Sequence, residues 1–354
     1  MASATSTSLP SHVSSTTATP SCYTAVPGKN GYVPPESCNA NWAFEPSFAA
    51  AVALSTIFGI LTVAHITLAI VHRKPFCWVM IMGVVWEFVA FVARALGSLD
   101  QQKRSYAYMS SLLFLLAPLW INAFIYMVAG RLIYTFHPDK KIGRVKAVSI
   151  GKYFVWLDIL SFLVQATGGT MLDPGSSPDT QNIGKNIYMA GVGIQEFFIL
   201  LFTVLIVLFH RAILRLEASE SAPANRMWKW LTYALYASLL LITVRVIFRL
   251  VEFSAGMDPK KNPLPFEEGY ALALDAMPMI IAILILAVIH PGLALKGPES
   301  VFPSRRERKL EKKAKKAEKK KIKMGMGPDH CFEPLQSSNG HNQRDIELGT
   351  VSRV

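Results

Sequence analysis

The sequence predicts an all-α membrane protein, a seven-transmembrane-helix bundle, and two observations predict it. Of the 354 residues, 51% are hydrophobic, and the mean hydropathy is +0.32. The apolar residues also gather in long runs instead of alternating, and seven runs approach or exceed the ~20 residues that span a ~30 Å hydrocarbon core.

The runs are Ser47 to Val71, Phe76 to Gly97, Ala107 to Phe136, Val148 to Leu172, Ile187 to Phe209, Trp228 to Phe253 and Tyr270 to Ile289. Nothing before Ser47 forms the apolar core of a cleavable signal peptide, so the first run is expected to insert as the targeting element, with the N-terminus outside. Basic residues agree. The first, third and fifth connections carry ten (Arg73, Lys74, Lys140, Lys141, Arg144, Lys146, Arg211, Arg215, Arg226, Lys229), against five in the second, fourth and sixth (Lys103, Arg104, Lys185, Lys260, Lys261), which puts the C-terminus in the cytoplasm.

Three parts follow from this reading. Residues 1–46 form an external Ser/Thr-rich segment expected to be disordered: more than half of its first twenty residues are Ser or Thr, a composition that cannot build a core. Cys22 and Cys38 lie there on one side of the membrane, placed either to pair or to remain free thiols. Residues 47–295 form the membrane domain. Residues 296–354 form a basic, largely disordered tail in which the 305–323 run holds twelve Lys or Arg against three Glu, a local +9 out of the chain's +12. Directly after the last span, such a run suits the anionic cytoplasmic leaflet, and it equally suits a solvated helix that only enforces topology. Nucleic acid is not an expected partner.

Eight ionisable side chains lie inside the apolar runs: Glu87, Arg94, Asp158, Glu196, Arg245, Arg249, Glu252 and Asp275. A charge at mid-bilayer costs roughly 2.5–3.5 kcal/mol, so each must face the bundle interior, a partner or a water-filled cavity. Five acids against three arginines leave a formal −2, met either by protonated carboxyls or by a cationic cargo group. Glu87 and Arg94, seven residues apart, share one stripe. Pro118 removes a backbone donor from the third helix, with Asn122 and Tyr126 following at four-residue steps; these either satisfy the loosened region or reach a ligand. Arg131 is expected to snorkel to headgroups. The fourth helix carries Asp158, Ser161, Gln165 and the pair Gly168 and Gly169 as a polar, small-residue stripe for close packing. Gln195 and Glu196 point about 100° apart, so at most one is central to a site.

The sharpest constellation is Arg245, Arg249 and Glu252, one face of the sixth helix. Its guanidiniums can clamp carboxylates such as Glu87, Asp158 or Asp275, or hold an anionic headgroup. His65, His72, His137, His210 and His290 lie scattered or at helix ends. No metal set, cofactor or catalytic group is therefore expected, which sets aside a membrane hydrolase.

Taken in order, several of these residues resemble the fungal lipid-translocating exporter, or RTA-like, family over roughly residues 32–292. The carriers are Glu87 with Arg94; Leu116-Ala117-Pro118 leading to Tyr126 and Gly130-Arg131; Asp158, Ser161, Gln165 and Gly168-Gly169; and Gly191 with Gln195. Arg245, Phe248, Arg249, Glu252 and Gly256 follow, then Glu268 with Asp275 before His290-Pro291-Gly292. One departure is Leu272, where the family has an aromatic three residues before the last Asp; Tyr270 lies two positions earlier. The resemblance implies a multi-pass protein of the plasma membrane or an endomembrane that moves sphingoid bases or related amphiphilic lipids and confers resistance to toxic lipids. The chain carries no Gly-x4-Gly-Lys-Ser/Thr loop for ATP. A heptahelical lipid-sensing receptor or stress-response protein shares the same topology and stays open as the alternative.

Overall fold

Inside hydrocarbon every backbone N–H and C=O must be satisfied within the chain, so long apolar runs become helices. The computed structural model describes residues 23–35, 37–172, 177–218, 226–254, 262–295, 297, 302–303, 306–307, 309–310 and 313–314. Among them are seven helices long and apolar enough to cross a membrane, and the chain is an integral multi-pass membrane protein. The first six are α1 (Phe48–Val71), α2 (Trp78–Leu99), α3 (Arg104–Phe136), α4 (Ala147–Thr170), α5 (Pro178–Ala218) and α6 (Met227–Ser254). The seventh, α7, runs through Glu268–Ala271, a π-helical turn Leu272–Ala276, and Met277–Val288. A single turn, α8 (Pro291–Ala294), follows.

Each long helix packs on its neighbours in sequence, and α7 closes against α1. The helix α3 also touches α5 and α6, and with α2 it is the most enclosed. Aromatic pairs fill the interior, among them Phe58 with Phe91 and Tyr126 with Phe202. Outward-facing residues such as Trp156, Val204 and Leu240 are exposed, as a lipid-facing surface requires.

Two boundaries differ from the hydropathy reading. Helix α3 starts at Arg104, three residues before its apolar run. Helix α5 has 41 residues, about 60 Å at 1.5 Å per residue, or roughly twice the hydrocarbon thickness. Hydropathy stops at its polar ends, but nothing there breaks a helix, and Pro178 occupies the first turn, where a missing N–H is harmless. The third connection also holds a small hairpin, β1 (Lys141–Ile142) with β2 (Val145–Lys146), whose turn Gly143 supplies at φ +56°.

The expected disorder of residues 1–46 does not extend to the described part of 23–46, which lies against the bundle. Trp42 seats its ring on Gly97, where a Cβ would overlap it. Asn41 Nδ2 donates to the Gln101 carbonyl at 3.1 Å, and Gln102 Nε2 donates to the Gly31 carbonyl at 2.7 Å. Apolar Val33 and Trp42, both buried, supply what the Ser/Thr-rich stretch lacks. Cys38 is disulfide-bonded; Cys22 lies outside the described residues, as do the Ser/Thr-rich start and most of the 305–323 run. The first compact unit extends through Phe302, and residues 303–354 form a second.

Candidate functional site

Pro118 explains why a charged network can exist beside α3. Without an N–H, it leaves the carbonyl of Phe114, four residues earlier, with no helical donor. Arg245 of α6 takes that place: its Nη2 donates to the Phe114 carbonyl at 3.3 Å, while its Nε pairs with Asp275. One turn on, Arg249 binds Glu252 at 2.9 Å and also pairs with Asp275. Asp275 is fully buried and rides on the π-helical turn, whose extra residue re-aims side chains within a helix.

Arg94 of α2 completes the group, with its Nη1 3.4 Å from Glu268. Glu268 in turn accepts from the Ser47 backbone N–H at 2.8 Å, tying the starts of α1 and α7 to α2. The three guanidiniums of Arg94, Arg245 and Arg249 all lie 5.5–5.7 Å from the Phe114 ring centre, within cation–π range. Sequence reasoning missed Phe114 altogether and left Glu268 outside the site. The only signal for Phe114 was its position four residues before Pro118.

The expected partners of the arginines divide. Asp275 is clamped, whereas Glu87 and Asp158 are not. Glu87 is fully buried, and neither of its oxygens has a hydrogen-bond partner among the described residues. Asp158 accepts instead from Tyr126 at 2.9 Å and from Asn122 at 3.2 Å, so these two α3 side chains tie α3 to α4. Tyr126 is held in place by Phe154 and Phe202.

Between α4 and α5 the contact is neutral. Gln165 Nε2 donates to Gln195 Oε1 at 2.8 Å. Gly168 lies so close to the backbone of Tyr188 and Gly184 that a Cβ would overlap both, and Gly191 is equally tight against Gln165. Gly169 does not share this role: it lies 100° further round the helix, and a Cβ there would meet nothing. Glu196, next to Gln195, is buried outside the cavity wall.

A cavity of about 30 Å³ lies where these elements meet. Its polar lining is Asn122, Gln165, Tyr188, Gln195, Arg245 and Arg249, and its apolar lining includes Pro118 and Leu119. That volume holds about two water molecules; sites that enclose drug-sized ligands run to roughly 300–1,000 Å³. The polar centre therefore has room for water and not for a drug-sized ligand.

At the opposite ends of α1, α2 and α3 lies a second polar group. Cys77 Sγ is 3.5 Å from His290 Nε2, and the His290 ring lies 4.6 Å from that of His72. His65 contacts the Ile283 carbonyl at 3.2 Å. Among the described residues no three His, Cys, Asp or Glu are arranged to hold a metal. Arg131 does not snorkel outward: it lies over the Phe76 ring at 3.9 Å and the Phe302 ring at 4.8 Å, because the chain after α8 brings an aromatic within reach.

A family model described as RTA1 like protein matches residues 80–298. The chain belongs to that family. The matched stretch takes in every residue of the charged network and both walls of the cavity, and it leaves out α1. Among relatives, the chain is 43% identical over 303 residues to the probable lipid transporter atnI of Emericella nidulans, covering 83% of this chain and 79% of the relative. It is 30% identical to protoporphyrin uptake protein 1 of Saccharomyces cerevisiae, covering 58% of this chain and 65% of the relative. To the sphingoid long-chain base transporter RSB1 of Saccharomyces cerevisiae it is 23% identical, covering 71% and 73%. No solved structure matches the chain. The names of these RTA1-like relatives share transport or uptake, whereas their cargoes differ.

Proposed function

We propose that this RTA1-like chain translocates amphiphilic lipids, sphingoid long-chain bases among them, across the plasma membrane and so confers resistance to toxic lipids. The carrying observation is its 43% identity, over most of both chains, to a relative named a probable lipid transporter. The N-terminus lies outside, with Cys38 paired to Cys22. The basic 305–323 run meets the anionic cytoplasmic leaflet. The relatives' names are those of transporters and not of enzymes, and we read this chain the same way; it carries no phosphate loop for ATP, so movement is passive or draws on a gradient or a partner.

The translocation path passes the cavity between Arg245, Arg249, Gln165 and Gln195. Arg94, Glu252 and Asp275 hold the path shut, and Glu87, Asp158 and Glu196 flank it. A lipid head group far exceeds a space for two waters, so passage requires α6 and α7 to part from α3, exchanging the Asp275 and Glu252 pairs for contacts with cargo or water. The sensor reading draws on one observation, the ion pairing of Arg245 and Arg249 with Asp275 and Glu252; a receptor can keep such a network locked.

Efflux of a labelled sphingoid base, from cells lacking their own exporter, separates the two. With surface levels matched, the intact chain is expected to restore efflux and Glu252→Gln to reduce it at least several-fold. No efflux from the intact chain at normal surface level would sink the transport reading and favour the sensor.

A further inference from the structure

The ion-pair network balances without Glu87. Arg94 is met by Glu268, and Arg245 and Arg249 are met by Asp275 and Glu252, so three guanidiniums face three carboxylates. Glu87 is a further acid beside them: Arg245 and Asp275 act on it most strongly, then Arg94 and Arg249. It is fully buried, and neither oxygen has a partner among the described residues. The helices packed on α2, which are α1 and α3, bring no acid or guanidinium to this level. Within its span α1 has His65 alone, which contacts the Ile283 carbonyl, and α3 carries no ionisable side chain between Tyr108 and Tyr126. Asp158, by contrast, has two donors in Tyr126 and Asn122.

A buried carboxylate with neither donor nor water is a costly form, and a bound proton removes that cost. The same proton decides what the network admits. Cargo with an ammonium head group adds a positive charge to a balanced set, which is admitted at low cost only where another positive charge leaves. The arginines cannot supply it, because a guanidinium does not deprotonate in proteins. A proton on Glu87 can leave, and the carboxylate left behind offsets the ammonium. Glu87 ionised without cargo would instead compete with Asp275 for Arg245 and loosen the tie between α6 and α7.

We infer that Glu87 is the proton-binding site of the transport cycle, exchanging one proton for each ammonium group that enters the charged network. The proton passes from the Glu87 carboxyl to water as one alkylammonium ion arrives, so the charge inside the bundle is unchanged and no bond of the cargo breaks. The exchange takes place when α6 and α7 part, since the cavity beside Arg245 has room for water and not for a head group. The inference rests on the reading of the chain as a lipid translocator and names its coupling ion: a proton gradient directed against the movement of the base would drive it.

The test uses the full chain in nanodiscs of neutral lipid, in weakly buffered solution at neutral pH with a pH-indicator dye, and N,N,N-trimethylsphingosine as the probe. Its quaternary ammonium is permanently charged, so the probe neither carries a proton nor crosses as a free base. Adding it is expected to release about one proton per chain, and empty nanodiscs should release none. Glu87→Gln is expected to abolish the release. Gln copies the shape of the protonated acid, so this variant should keep its thermal midpoint within about two degrees of the parent's, whereas loss of an ion-pair partner would lower it much further. No release from the intact chain, release kept in Glu87→Gln, or a collapsed midpoint in that variant would each overturn the inference. Sphingoid-base efflux without proton release leaves the transport reading and defeats the proton site; proton release without efflux does the reverse.

Discussion

The two walls of the central cavity are held by different physics. On the side of α3, α6 and α7, the contacts are charges: Arg245 and Arg249 against Asp275 and Glu252, with Phe114 between them. On the side of α4 and α5 they are backbone against backbone through Gly168, Gly184 and Gly191, with one neutral amide pair. An ion pair can trade one partner for another at little net cost if water or cargo supplies the replacement, whereas a glycine seam has no second arrangement to adopt. On the proposed transport reading, the charged wall is the one that opens and the glycine wall is the frame it opens against.

Removing Asp275 should have the largest effect on that contrast. Asp275→Asn strips the buried Arg245 and the partly exposed Arg249 of a shared counter-charge, and breaking a buried pair from one side typically costs about 3–5 kcal/mol. The expected result is a large drop in thermal midpoint, which Asp275→Glu should partly recover. A midpoint within a degree of the parent would show that the charged wall holds nothing. Gly168→Ala comes next: its Cβ would overlap Tyr188 and Gly184, and overpacking of this kind costs about 1–3 kcal/mol. Gly169→Ala, facing open space, should stay within about 0.5 kcal/mol, and equal effects at the two positions would refute the seam. Pro118→Ala should also be small in stability, within about 1 kcal/mol, because the restored N–H of residue 118 takes over the Phe114 carbonyl. Its signature is functional: Arg245 loses an acceptor on α3, so efflux should change while the midpoint barely moves, and unchanged efflux would deny Pro118 its part in the site.

How much of this was legible in the sequence depends on what each feature is made of. The seven spans were readable because hydrocarbon allows so few structures, and the α6 face was readable because charges there are expensive. The ends of α5 were not, since hydropathy records lipid contact and not helix continuity. Asp158 stood out as a charge inside an apolar run, but its partners come from α3 and not α6, a matter of which helices are neighbours. Phe114 escaped notice because an apolar ring in an apolar run carries no mark; its role is created by three side chains distant in sequence. The offset between Gly168 and Gly169 is one step of helical phase, which a glycine pair cannot reveal without its neighbour. The π-helical turn under Asp275 left no trace in composition at all.

The seat of Trp42 on Gly97 has a consequence for how this surface can evolve. An indole and a bare α-carbon form a lock in which neither half can be edited alone: any side chain at position 97 evicts the ring, and a smaller residue at 42 leaves a hole over α2. In relatives that carry both segments the two positions should therefore drift as a couple, glycine persisting only where a bulky aromatic faces it.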